Sequence, residues 1–286
     1  MYLTIKFEGG LADQHKIPAY DGTKSLEGMT RSILIISNFL VEGRVRRREF
    51  GAVPLTFNIV AQQPGSFETI LEVGYGAAVI GGPIVGGLAA GVAGNLLTDL
   101  IKVVYRRVSG GEDDEVLPEA VAELEDARPG DIGALVEAAE PAIRLGHNVI
   151  NHGVININLQ QITQAAPNSL ATLTPATKNY VWENVINNGI RAKLFSIGSF
   201  NANQGTGRAF DLEAGRSIPF ELTNDADRQT IETLLASISQ YTRRRRLGDN
   251  LASAVALLYT SVDAIDGRIK KIRIMKARNE INQLEQ

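Results

Sequence analysis

Among side chains that do chemistry near neutral pH, this chain of 286 residues carries three histidines, His15, His147 and His152, and no cysteine. None of the histidines stands in an H-E-x-x-H array or has a carboxylate four residues away, the spacing that places two ligands on one helical face, so no metal site is expected. Without cysteine there are no disulfides, thiolate metal sites or thiol nucleophiles, which agrees with a reducing compartment. Asp13, His15 and Asp21 are near enough in sequence to converge after the first strand, as proton transfer requires. Aspartates at such turns more often cap backbone N–H groups. Gly205-Thr206-Gly207 lacks a following helix and the rest of a dinucleotide fingerprint, and reads as a hairpin turn. Neither G-x-S-x-G nor G-x-x-x-x-G-K-[ST] occurs. The chain is expected not to be an enzyme and to need no cofactor.

Two basic clusters remain as candidate binding groups. Arg44, Arg46, Arg47 and Arg48 follow the first helix, and Arg243, Arg244, Arg245 and Arg246 precede the last strands, which add Arg268, Lys270, Lys271 and Arg273. Residues 241–286 hold ten basic and five acidic residues. Four consecutive arginines beside a small barrel suit the phosphates of nucleic acid or lipid. Base-stacking rings are scarce there, Tyr241 and Tyr259 being the two present. The plainer alternative is pairing with the acidic stretch 111–140, which carries eleven carboxylates and a single arginine, Arg128.

The most unusual segment runs from Val73 to Thr98, 26 residues without a formal charge, eight of them glycine. That is long enough to span a bilayer, yet glycine costs about 1 kcal/mol against alanine in a helix interior and is kept where backbones approach closely. With Pro83 in the first turn of a helix, Ile84, Leu88 and Val92 form an aliphatic stripe, and Gly86, Ala90 and Gly94 a small one on the opposite side. The aliphatic stripe turns polar at Asn95, Asp99, Lys102 and Arg106. Two readings stay open: a tightly packed buried helix, and a membrane-active helix associating through small-x-x-x-small contacts.

The elements that position these groups follow from periodicity. Leu3, Ile5 and Phe7 alternate with polar residues, which predicts a strand over Met1–Glu8, and this start lacks the cationic and apolar runs of a signal peptide. From Thr23, Leu26, Met29, Ile33, Ile36 and Leu40 step by three or four toward Gly43, predicting an amphipathic helix. Strands are expected over 54–60 and 66–73 around Pro64-Gly65. Pro118 and Pro129 open short helical patterns, Pro141 is expected to start another helix ending near Asn151, and Ile155, Ile157 and Leu159 give a weak strand signal. Thr174-Pro175 opens a helix carried through Tyr180, Trp182 and Val185 to Asn187-Asn188-Gly189. Strands over 193–201, 208–213, 218–222, 255–265 and 268–275, with a helix through Ile231, Leu234, Leu235 and Ile238 and a hairpin at Asp266-Gly267, suggest a small barrel of the SH3-like or OB kind. The expected class is α+β. A β-α-β-β domain with the long glycine-rich helix fills residues 1–110, an acidic and helical middle region 111–188, and a small β-barrel 189–286.

Ser25-Leu26-Glu27-Gly28 with Arg31, Gly43-Arg44-Val45-Arg46, Pro64-Gly65-Ser66-Phe67-Glu68 and Gly94-Asn95-Leu96-Leu97-Thr98-Asp99-Leu100-Ile101-Lys102 resemble an uncharacterised family of bacterial two-domain proteins. The likeness covers roughly the first 108 residues well and the barrel more loosely. It implies an N-terminal α/β region with the glycine-rich helix, a small C-terminal barrel, and a setting near phage-defence genes for some members. It carries over no catalytic residue. The expected function is that of a non-enzymatic bacterial protein in antiphage defence that self-associates as a homo-oligomer and engages a membrane lipid or a protein partner through the glycine-rich helix. Its expected location is cytoplasmic and peripheral to a membrane. The alternative is a nucleic-acid-binding adaptor acting through the basic barrel.

Overall fold

The computed structural model describes residues 1–48, 50, 55–63, 67–75, 90–111, 117–128, 130–247, 252–265 and 267–284, with the backbone alone at 55, 56, 61–63, 75, 90–94, 216, 245 and 246. Two compact units result, Met1–Trp182 and Glu183–Gln286. This replaces the three-part division expected from the sequence. The acidic middle region is no separate body up to Trp182, because its strands and helices complete the sheet and core of the first unit.

That sheet has the order β2-β3-β1-β4-β5. The central strand β1 (Tyr2–Glu8) sends Leu3, Ile5 and Phe7 into the core. It pairs antiparallel with β3 (Phe67–Tyr75) on one side and with β4 (Asn156–Gln161) on the other. The edges are β2 (Leu55–Gln63) and β5 (Asn168–Leu173), the latter unanticipated by periodicity. Its six residues, NSLATL, carry too little alternation to declare a strand, and pairing with β4 decides it.

α1 (Ala19–Glu42) buries Met29, Ile33, Ile36 and Leu40 as the spacing requires. It stops at Gly43, whose φ of +66° and N–H bond to the Phe39 carbonyl make the left-handed cap that glycine adopts without strain. α2 (Ala90–Val108) buries Leu97, Leu100, Ile101, Val104 and Tyr105 essentially completely, while Asn95 is exposed and Asp99, Lys102 and Arg106 are half-buried. The expected polar stripe is therefore the outer face of a core helix. Ala90, Val92 and Gly94 lie on its first turns; Pro83, Ile84, Gly86 and Leu88, and the Pro64-Gly65 turn, lie outside the described residues. Among the described residues no helix is long and apolar enough to cross a membrane.

α3 (Glu119–Ala127) follows Pro118 as expected. α4 (Asp131–Gly146) departs from expectation, since Pro141 lies inside it and starts no helix of its own. Ile132, Leu135, Ala138, Ala139, Ala142 and Ile143 keep one apolar face on both sides of the proline. Burial of that face offsets the missing N–H bond. α4 crosses α1 at Gly28, where an added Cβ would overlap the backbone of Ala142, Leu145 and Gly146. Close approach through small residues, looked for in the 84–94 stripe, is realised here. α5 (Pro175–Trp182) ends the unit.

The second unit opens with β6 (Val185–Asn201), which begins where the sequence pattern still read as helix. Residues 185–187 pair with 261–263 of β9 (Ala254–Asp263), a partner no local window contains. β7 (Thr206–Asp211), β8 (Arg216–Leu222) and β10 (Ile269–Arg278) complete a closed barrel of order β10-β8-β7-β6-β9. All neighbours are antiparallel except β8 and β10, which run parallel. Phe195, Ile197, Ala209, Phe220, Leu257 and Ile272 fill the interior, with Leu234 from α6 (Arg228–Leu247) in the same cluster.

Candidate functional site

The proposed acid-base group after the first strand does not assemble. Asp13 accepts the Gly9 N–H at 2.9 Å, as a turn cap, and His15 closes a short 3-10 turn in the left-handed conformation. Asp21 instead accepts from Asn148 Nδ2 at 2.7 Å and stands 3.4 Å from His152 Nδ1, more than 120 residues away in sequence. His147, fully buried, donates from Nδ1 to the Ile143 carbonyl at 2.8 Å and takes the Thr177 hydroxyl at Nε2, 2.9 Å away. Burial lowers its pKa to about 4, so it is a neutral structural side chain. Among the described residues no three His, Asp or Glu side chains gather where they would hold a metal ion.

The first arginine cluster is engaged internally. Glu42 takes both Arg44 Nε, at 2.8 Å, and Arg46. Arg47 pairs at 2.5 Å with Glu137, one of the carboxylates of the acidic stretch. Arg48 is exposed. Arg128, the single cation of that stretch, donates to the Gly43 carbonyl and to Asp131 at 2.6 Å, with its guanidinium 5.8 Å from the Phe39 ring. These pairs tie the segment after α1 to the start of α4.

On the barrel the cations divide. Lys193 is held between Asp211 at 2.9 Å and Glu213 at 2.8 Å, and Arg191 lies 3.4 Å from the nearly buried Asp263. Arg278 is committed to Asp227, which also caps α6 by accepting the Thr230 N–H at 2.7 Å. The hydrogen bonds of Arg278 and Thr230 hold the Asp227 carboxyl well below the usual range.

By contrast, Arg243 and Arg244 are exposed on the last turns of α6, where the helix dipole favours cations. Arg244 lies 5.8 Å from the Tyr241 ring. Arg245 and Arg246 continue the helix beside them. Lys271 and Arg273 emerge from the outer face of β10, on either side of the buried Ile272. Both reach the same carboxylate, Glu221 of β8, Arg273 Nε at 2.6 Å and Lys271 Nζ on the other oxygen. Tyr259, one of the two expected stacking rings, is unavailable. It is buried inside the barrel, edge-on to Phe195 at 5.5 Å. Residues 183–286 carry 15 Lys and Arg against 12 Asp and Glu, whereas residues 1–182 carry 14 against 20. The barrel unit thus has a positive balance of three charges and the first unit a negative balance of six.

No curated protein matches the chain, and no solved structure does. Two family profiles do, and their limits follow the structural units: a domain of unknown function, DUF7946, over residues 3–182, and a family of unknown function, DUF7947, over residues 189–278. The first spans more than half of the sequence, and the chain accordingly belongs to the DUF7946 family, with a DUF7947 barrel following that domain.

Proposed function

We propose that this chain is a non-enzymatic adaptor whose C-terminal barrel binds a nucleic-acid strand through its phosphates. The observation that carries the reading is the strand order. A five-stranded ring closed by a parallel pair of third and fifth strands, with a helix between the third and fourth, is the arrangement of the OB barrel rather than the SH3-like one. Such barrels commonly take single-stranded nucleic acid. Fold alone does not assign function, so the charge distribution supplies the second support: exposed arginines at the end of α6 and paired cations on β10, in the one unit with a positive balance. With Tyr259 buried, few rings are left to stack on bases, which favours contact through phosphates and little sequence preference.

The test is anisotropy of a fluorescein-labelled single-stranded oligonucleotide titrated with the full chain at several salt concentrations. Affinity is expected to fall steeply with salt, and replacing Arg243 to Arg246 by alanine to flatten the slope by up to about 0.7 per lost contact. Absence of binding at about 50 mM salt, or binding indifferent to salt, refutes the proposal.

Self-association through the glycine-rich segment is a second reading, favoured by one observation. α2 already includes Ala90, Val92 and Gly94, and its remainder is anchored in the core, so the end of the small stripe is carried on a firmly held helix. Gly86→Leu with Gly94→Leu should abolish assembly in light scattering while leaving the chain able to float with liposomes. Wild-type assembly in that variant removes this reading.

A further inference from the structure

We infer that Lys271 and Arg273 form a clamp for one backbone phosphate of a nucleic-acid strand, and that Glu221 occupies this clamp as an internal competitor in the free protein. The inference rests on the function proposed above and assigns a contact site within it. The two cations stand two residues apart on β10, so they share a face, while Ile272 and Ile274 point into the barrel. β8 runs parallel beside them with Arg273 opposite Glu221.

Each oxygen of the Glu221 carboxylate serves a different cation: Oε1 accepts Arg273 Nε at 2.6 Å and Oε2 accepts Lys271 Nζ. Two cation heads therefore converge on a single O–C–O unit, and the two free oxygens of a phosphodiester span nearly the same width. The trio keeps a net charge of +1. Its members are accessible, with side chains 36% (Lys271), 47% (Arg273) and 28% (Glu221) exposed. Ion pairs this exposed are weak, so a phosphate in a polyanion displaces the carboxylate readily. In a purely structural pair the carboxylate would add to binding-neutral stability and nothing else. Here it subtracts from affinity.

Anisotropy with the same labelled single strand separates these cases, using wild type, Glu221→Gln and the double variant Lys271→Ala/Arg273→Ala, each checked for folding by circular dichroism. Glu221→Gln should bind more tightly than wild type, with a salt slope steeper by up to about 0.7, the increment for one phosphate neutralised on a single strand. Its advantage should shrink by up to about 2.6-fold between about 50 and 200 mM salt. The double variant should bind more weakly, with a flatter slope. If wild type binds but Glu221→Gln matches it in affinity and slope, the clamp is wrong and the barrel's function stands. If the double variant binds like wild type, the clamp is likewise overturned. If wild type does not bind at about 50 mM salt, the proposed function fails and the clamp with it.

Discussion

Replacing Gly28 by alanine should destabilise the first unit, although helix propensity alone predicts the opposite. Alanine is favoured over glycine by about 1 kcal/mol inside a helix. The site, however, faces backbone. A Cβ on Gly28 would stand 2.8 Å from the Leu145 carbonyl carbon and closer still to Gly146 N and Ala142 O, against 3.4–4 Å for ordinary contact. No rotamer change relieves an overlap with main chain, so α1 and α4 must part by about 1 Å. A gap of that size forfeits up to about half of each dispersion contact along the crossing. Overpacking of this kind costs about 3 kcal/mol at its upper range, and the propensity gain offsets roughly 1 kcal/mol of it. The net loss is about 2 kcal/mol, or a fall in Tm of about 4–8 °C for a unit of this size.

Urea unfolding read by tryptophan fluorescence measures it, because the single tryptophan, Trp182, lies in this unit with Arg144 of α4 5.8 Å from its ring. The midpoint should drop with the slope unchanged. Gly146→Ala is the internal comparison: its Cβ would meet the Met29 sulfur at 3.1 Å, an atom of a flexible side chain and not of the backbone, so its cost should be smaller. Gly198→Ala in the barrel, with its nearest neighbour at 3.8 Å, should be neutral or mildly stabilising. A Gly28→Ala protein as stable as wild type would refute the backbone contact between the two helices.

Three further outcomes are expected. His147 is neutral in the fold with its pKa lowered to about 4 by burial, against 6.5 unfolded, so its contribution is complete above pH about 6.5 and fades as pH falls toward 4. The loss amounts to at most about 3 kcal/mol. Urea midpoints between pH 7 and 4.5 should show this decline in wild type and a shallower one in His147→Gln. Asp227→Ala removes the α6 cap and strips the buried Arg278 of its carboxylate, which should cost about 2–4 kcal/mol by chemical denaturation, whereas Asp227→Asn, which keeps a cap acceptor, should cost less. Replacing Arg44, Arg46 and Arg47 together by alanine should leave oligonucleotide affinity and salt slope as in wild type, since Glu42 and Glu137 already hold these side chains. A flattened slope in that variant would place the first cluster in the binding surface.

What the sequence by itself determined is whatever a short window encodes. The three-and-four spacing from Met29 to Leu40 with Gly43 behind it specified α1 and its cap, and the alternation of Leu3, Ile5 and Phe7 specified β1. The strands around the glycine turns near 205, 215 and 267 announced the barrel, because each hairpin is a local object with its own turn chemistry. The apolar face of α4 was also local, yet Pro141 masked it, since a proline's intrinsic preference for a helix start was outweighed by burial of residues on both sides.

Tertiary structure alone decided the rest. β5 and the first residues of β6 became strands because partners far along the chain supplied hydrogen bonds that their own side chains do not announce. Residues 111–182 joined the first domain because β4 pairs with β1 across 150 residues and α4 seats on Gly28. The fate of each charge was equally nonlocal. Arg47 and Glu137, Asp21 and His152, and Glu221 with Lys271 and Arg273 are indistinguishable in sequence from other acidic and basic residues. Coulomb and hydrogen-bond energies depend on distance in space, and folding alone sets that distance.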